Sequence, residues 1–175
     1  MPPYLSPEWV QAFNRALADL DLTDAVAAAG AGSLTVAQGT FRVAQVVTGG
    51  PEGLAGPGAA TPDPNGSTVR TVLTVAGGRL SLVEDPTEAI SSNVTMVLGY
   101  DDALAMARGE LRPADALATG RVRVRGELSV LVAGQAVLNA ASAALGQTLT
   151  DLTDLTDLPD PTASTDPNGP APTGE

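Results

Sequence analysis

The sequence predicts an α+β fold, a five-stranded and mainly antiparallel sheet covered by helices. Three observations carry that expectation. Val- and Thr-rich alternating segments separated by glycine turns occupy residues 34–98. Two short helical segments follow, from Tyr100 and from Pro113. A last alternating strand, Arg121 to Arg125, then feeds a long alanine-rich helix from Leu128 to Leu145.

Ser6-Pro7-Glu8 opens the first helix with a capping hydroxyl, a proline at the first position and an acid against the helix dipole. Trp9, Phe13, Ala16, Leu17 and Leu20 recur at spacings of three and four, giving one apolar face. Asp21 to Ala29 continues as a second helical piece capped by Asp21 or Thr23, and Gly30-Ala31-Gly32-Ser33 breaks it. Leu34 to Thr48 reads as extended, with a parity change at Gly39 that predicts a bulge or bend there. Residues 49–67 are a loop, Val69 to Ala76 a strand, Gly77-Gly78 a tight hairpin and Arg79 to Glu84 its return. Asn93 to Leu98 supplies a fourth strand and Arg121 to Arg125 a fifth. Gly146 stops the last helix. The expected organisation is a domain over residues 1–145 and an acidic, Pro-, Thr- and Asp-rich disordered tail over 146–175.

Composition narrows the chemistry. The 175 residues include no Cys and no His, and all nine basic residues are arginine. A thiol nucleophile, a Ser-His triad, a Schiff-base lysine, a Walker-type lysine and a Cys/His zinc site are all excluded. The net charge of −11 argues against nucleic acid, which needs clustered cations. The acidity is concentrated in the tail, where six acids stand without a base. The start, MPPYLSPEWVQAF, lacks a basic segment followed by an apolar one, so no signal peptide is expected. Leu128 to Leu145 is long enough to test as a membrane span, but Ser129, Gly134, Gln135, Asn139 and Ser142 favour a helix covering the sheet.

Arg121, Arg123 and Arg125 alternate with Val122 and Val124 and share a strand face, read as solvated rather than as a headgroup patch. Asp101 and Asp102 point about 100° apart on a helix, so they act as first-turn acids and not as a facing catalytic pair. The glycines at 30 and 32 and those of the 49–58 loop do not match a dinucleotide fingerprint. Asn65-Gly66-Ser67 and Asn93-Val94-Thr95 match the glycosylation acceptor pattern by chance. Residues 150–158 are three copies of Thr-Asp-Leu, a solubilising segment or a docking motif for a protein partner within residues 147–160.

Apolar surface remains. Phe41, Val43, Val72, Leu82, Met96, Leu98, Leu104, Met106, Leu117, Val122, Val124, Leu131 and Leu138 are expected on one side of the sheet and its covering helices. With five aromatics in the chain and a final helix of mostly small residues, space is left between sheet and helix unless the backbones close up. An empty pocket of ~300 Å³ would cost several kcal/mol at ~24 cal/mol per Å³, so such a space is expected to be filled by a ligand, penetrated by water or mobile.

The stretch from Tyr100 to Leu128, YDDALAMARGELRPADALATGRVRVRGEL, with the preceding Asn93-Val94-Thr95 strand, resembles the lipid-binding domain of the sterol carrier protein 2 family. Val43 to Gly53 also resembles the first strand and turn of short bacterial, actinobacterial-type members. The resemblance covers Trp9 to Leu145 and implies an apolar tunnel between sheet and helices that takes fatty acyl chains, acyl-CoA or sterols. The missing lysines and Ser-Lys-Leu ending depart from animal members. The function expected from residues and resemblance together is non-enzymatic carriage of an apolar ligand in the cytoplasm. No cofactor, metal, nucleic acid or stable membrane insertion is expected. The alternatives are an accessory domain docking through its tail, or a cofactor-free isomerase or cyclase using Asp101 or Asp102.

Overall fold

The computed structural model describes residues 4–51, 67–85 and 87–146. Its centre is one five-stranded sheet of β1 (Thr40–Gly50), β2 (Ser67–Ala76), β3 (Arg79–Glu84), β4 (Val94–Gly99) and β5 (Val122–Gly126). The order is β3-β2-β1-β4-β5. β2 pairs antiparallel with β1 and β3, β5 pairs antiparallel with β4, and β1 and β4 run parallel in the middle. The helices are α1 (Pro7–Leu17), α2 (Thr23–Ala29), α3 (Leu34–Ala37), α4 (Tyr100–Ala107), α5 (Pro113–Ala118) and α6 (Leu128–Leu145). The architecture is therefore the expected α+β one, with a mixed sheet.

Local signals explain most boundaries. Ser6 Oγ accepts from the Trp9 amide and Pro7 stands at the first helical position of α1. The Asp21 carboxylate accepts from the Thr23 amide and hydroxyl at the head of α2. Gly146, at φ +67°, ends α6 in the left-handed conformation. Asn14 on α1 covers the outer edge of β3, donating to the Leu82 carbonyl and accepting from its amide, both at 2.7 Å.

Three expectations are corrected. Leu34 to Ala37 is a turn of helix, not strand, because Ser33 Oγ caps the Val36 amide. The parity change at Gly39 is thus the exit from α3 and no bulge; the register slips instead between Val47 and Gly50. Arg121 lies before β5, where its guanidinium pairs with Asp102 of α4 at 3.0 Å. Of the loop, residues 52–66 lie outside the described residues, as do the Asn65 acceptor pattern and the tail segment 147–175 with its Thr-Asp-Leu copies.

The strand register sorts the sheet into two faces. Phe41, Val43 and Val47 on β1 face the helices with Val69, Leu73 and Val75 on β2, Leu80 and Leu82 on β3, Val94 and Leu98 on β4 and Val122 on β5. α6 crosses this face closely at Gly134, where a Cβ would lie 3.1 Å from Val43 Cγ2. At that point the backbones do close up, and no space remains beside Phe41 and Val43. The opposite face carries Arg42, Thr74, Thr95, Arg123 and Arg125. Beneath it Arg70 pairs with Asp85 and donates to the Ile90 carbonyl at 3.1 Å, tying the crossover between β3 and β4 to the sheet. Asn93 completes that crossover by accepting from the Arg42 amide at 2.8 Å.

Candidate apolar binding face

Directly paired residues form rungs across the helix-covered face. One rung holds Leu82, Leu73, Val43 and Val94; another holds Val69, Val47, Leu98 and Val122. All eight of these side chains are at most 7% exposed. Between them runs a rung of different character: Glu84 on β3, Thr71 on β2, Gln45 on β1, Met96 on β4 and Val124 on β5. Gln45, Met96, Val124 and Glu84 are half-buried, although the rungs on both sides are closed. Four strand spacings of about 4.8 Å make this rung roughly 19 Å long. It is apolar at the β4–β5 end and polar at the β3–β1 end.

The helices that pack on β4 and β5 carry half-buried apolar side chains. Met106 of α4, Leu111, Leu117 of α5 and Leu138 of α6 all pack on the core without being closed off by it. Leu104 is likewise half-buried. Methionines at 96 and 106 suit such a surface because an unbranched thioether adapts to irregular contacts. Next to Gln45, Tyr4 packs edge-on against Trp9, with centroids 4.8 Å apart, and lies 6.4 Å from the Tyr100 ring. Burial pushes the Tyr4 phenol up to about 12 against the pull of its hydrogen bond with Gln45, while Tyr100 adds to the rise, so the phenol stays neutral.

The expected lining residues divide accordingly. Met96, Leu104, Met106, Leu117, Val124 and Leu138 are the half-buried members, on β4, α4, α5, β5 and α6. Phe41, Val43, Leu82, Leu98, Val122 and Leu131 are closed core, at most 8% exposed. Val72 pairs with Ala44 and faces the other side of the sheet, away from the helices. Gln45, Thr71, Glu84, Tyr4 and Tyr100 were not signalled by type or spacing; the strand register alone brings the first three together.

Asp101 and Asp102 stand in the first turn of α4, and Asp102 is engaged by Arg121, as a structural acid would be. Glu84 is the perturbed acid of this face. Burial raises its pKa and the nearby Glu8 adds to the rise. The folded state therefore binds the Glu84 proton more tightly than the unfolded chain does, so stability falls as pH rises from the ordinary Glu value toward the raised one. Glu84→Gln is expected to raise the melting temperature at pH 7.5 by about 2–4 °C and to leave it unchanged at pH 4, as read by circular dichroism.

No family model and no curated protein matches this chain. Among solved structures it is similar to a conserved hypothetical protein from Thermus thermophilus, at 19% identity over 79% of this chain and 87% of that one, with a TM-score of 0.49. It is also similar to sterol carrier protein 2 from Yarrowia lipolytica, at 11% identity over 87% and 94% of the two chains, TM-score 0.47. Sterol carrier protein domain 2 of Helicoverpa armigera matches at 15% identity over 84% and 94%, TM-score 0.47.

Proposed function

We propose that this chain is a non-enzymatic carrier, working in the cytoplasm, that holds an apolar ligand such as a fatty acyl chain or a sterol-like lipid against the helix-covered face of its sheet. The observation that supports this most is the middle rung. Met96 and Val124 keep access to solvent while the apolar rungs on both sides are sealed, and the helices that pack on β4 and β5 carry the half-buried Met106, Leu117 and Leu138. A hydrocarbon there would gain about 0.8 kcal/mol for each methylene it buries, so a dozen carbons supply ample binding energy. The sequence resemblance over Asn93 to Leu138 points the same way. α6 passes a membrane-span test by length and mean hydropathy, 1.6, yet it contributes Val130, Leu131, Ala133, Gly134, Val137 and Ala141 to the core, which favours a covering helix.

The test is to fill the rung. Met96→Trp and Val124→Trp place large side chains at half-buried positions where the fold tolerates them. Each is expected to weaken binding of the uncharged probe N-phenyl-1-naphthylamine at least about tenfold, with melting within a few degrees of wild type. Unchanged probe affinity in both variants would place any apolar site elsewhere. Wild-type protein that takes up no probe and yields no lipid to organic extraction would end the carrier reading.

A further inference from the structure

The polar end of the middle rung holds an unmet hydrogen-bonding demand. Thr71 Oγ1 and Glu84 Oε1 are the two buried side-chain polar atoms that lack a partner among the described residues. They belong to residues paired directly across β2 and β3, on the same face of the sheet. Thr71 is 1% exposed. Native structures pair the great majority of buried polar atoms, so two orphans side by side point to a missing partner. Gln45 is the next residue along the rung, followed by the apolar pair Met96 and Val124.

We propose that Thr71 and Glu84 bind the polar end of the carried ligand, and that this end is a hydrogen-bond donor, an alcohol or a protonated amine, rather than a carboxylate. The inference rests on the carrier reading. An ammonium placed between the two side chains donates to both orphaned oxygens, a hydroxyl donates to Glu84 Oε1 while accepting from the Thr71 hydroxyl, and in either case the hydrocarbon then runs along the rung across Gln45 to Met96 and Val124. An anion fares differently. The neighbouring charge acting on Glu84 is that of Glu8 on α1, so a carboxylate would enter among like charges. Charge-assisted hydrogen bonds are the stronger kind, which places the amine ahead of the alcohol.

The experiment is displacement of N-phenyl-1-naphthylamine at pH 8 by three ligands of one chain length: decylamine, decanol and decanoate. At that pH the amine is protonated and the acid ionised. Decylamine is expected to displace the probe at a concentration at least about tenfold below decanoate, with decanol between them. Thr71→Val removes an unpaired hydroxyl at nearly constant shape, and Glu84→Gln removes the charge; neither gives up an existing hydrogen bond, so both fold. Each should shrink the gap between amine and acid to about threefold or less, and Thr71→Ser should restore the wild-type order. Decanoate competing as well as decylamine, or a wild-type order kept in both variants, overturns the headgroup assignment while leaving the carrier reading intact. Failure of the probe to bind at all overturns both.

Discussion

Asp85→Ala is expected to lower the melting temperature by on the order of 10 °C. Asp85 is 4% exposed on the face of the sheet away from the helices, where Ala44 and Val72 are also buried. Its carboxylate accepts from the Ala89 and Ile90 amides, both at 2.9 Å, and from Arg70. Alanine leaves the Arg70 guanidinium, whose side chain is 11% exposed, without its counter-charge, and it leaves two amides of the crossover without acceptors. Losing one member of a buried pair is the costly case; replacing both is mild. Arg70→Met with Asp85→Leu should therefore recover part of the loss in a thermal melt. Burial alone would raise the Asp85 pKa, but the two amides and Arg70 outweigh it and hold the carboxyl below its ordinary range. Its contribution is thus complete above the ordinary Asp value and disappears as pH falls through the lowered one. The wild type and Asp85→Ala should converge in stability only in strong acid. A constant gap between them down to pH 2 would contradict the assignment.

Gly78→Val should cost about 2–5 kcal/mol. Gly78 turns the β2–β3 hairpin at φ +76°, and a Cβ there would lie 2.2 Å from Thr23 Oγ1 and 2.7 Å from the Thr23 amide nitrogen. Its carbonyl also accepts from the Leu22 amide at 2.8 Å, so hairpin and helix α2 are docked backbone to backbone. A side chain must push α2 away, and α2 packs in turn on α6. Urea unfolding measures the loss, and hydrogen exchange at Leu22 locates it. Gly77→Asn is the control: nothing stands within 4 Å of its Cβ, and asparagine tolerates the left-handed conformation. Equal losses in the two variants would mean that turn strain, and not the docking of α2, sets the cost.

What the sequence disclosed follows the range of the forces involved. Ser6-Pro7-Glu8, Gly77-Gly78 and Gly146 act within a few residues, and each marks its boundary correctly. Leu34-Thr35-Val36-Ala37 misled because two of its four residues favour strands by type, while the Ser33 cap decides a helix of only one turn. The apolar side chains around the candidate site were legible as a set, but not which of them are sealed. Phe41 and Met96 look alike as apolar strand residues; Gly134 closes α6 onto the first, and the second lies two rungs away. The polar end was invisible. Glu84 reads as an ordinary acid at a strand end, Thr71 as an ordinary strand threonine, and Gln45 as a surface residue. Pairing between segments tens of residues apart places them in one line, and no local pattern encodes that register.

The strand order also sets a timetable for synthesis. β1, β2 and β3 are sequential neighbours and can pair as soon as Glu84 has left the ribosome, whereas β4, β5 and α6 arrive afterwards. At about 5–20 residues per second, the stretch from Glu84 to Leu145 takes roughly 3–12 s to be made. Throughout that interval Phe41 and Val43 have no α6 above them, and the inner edge of β1 has no β4 beside it. The nascent chain therefore passes through a stage with a bare oily surface and an open strand, the form in which chaperones recognise clients and neighbouring chains stick to one another.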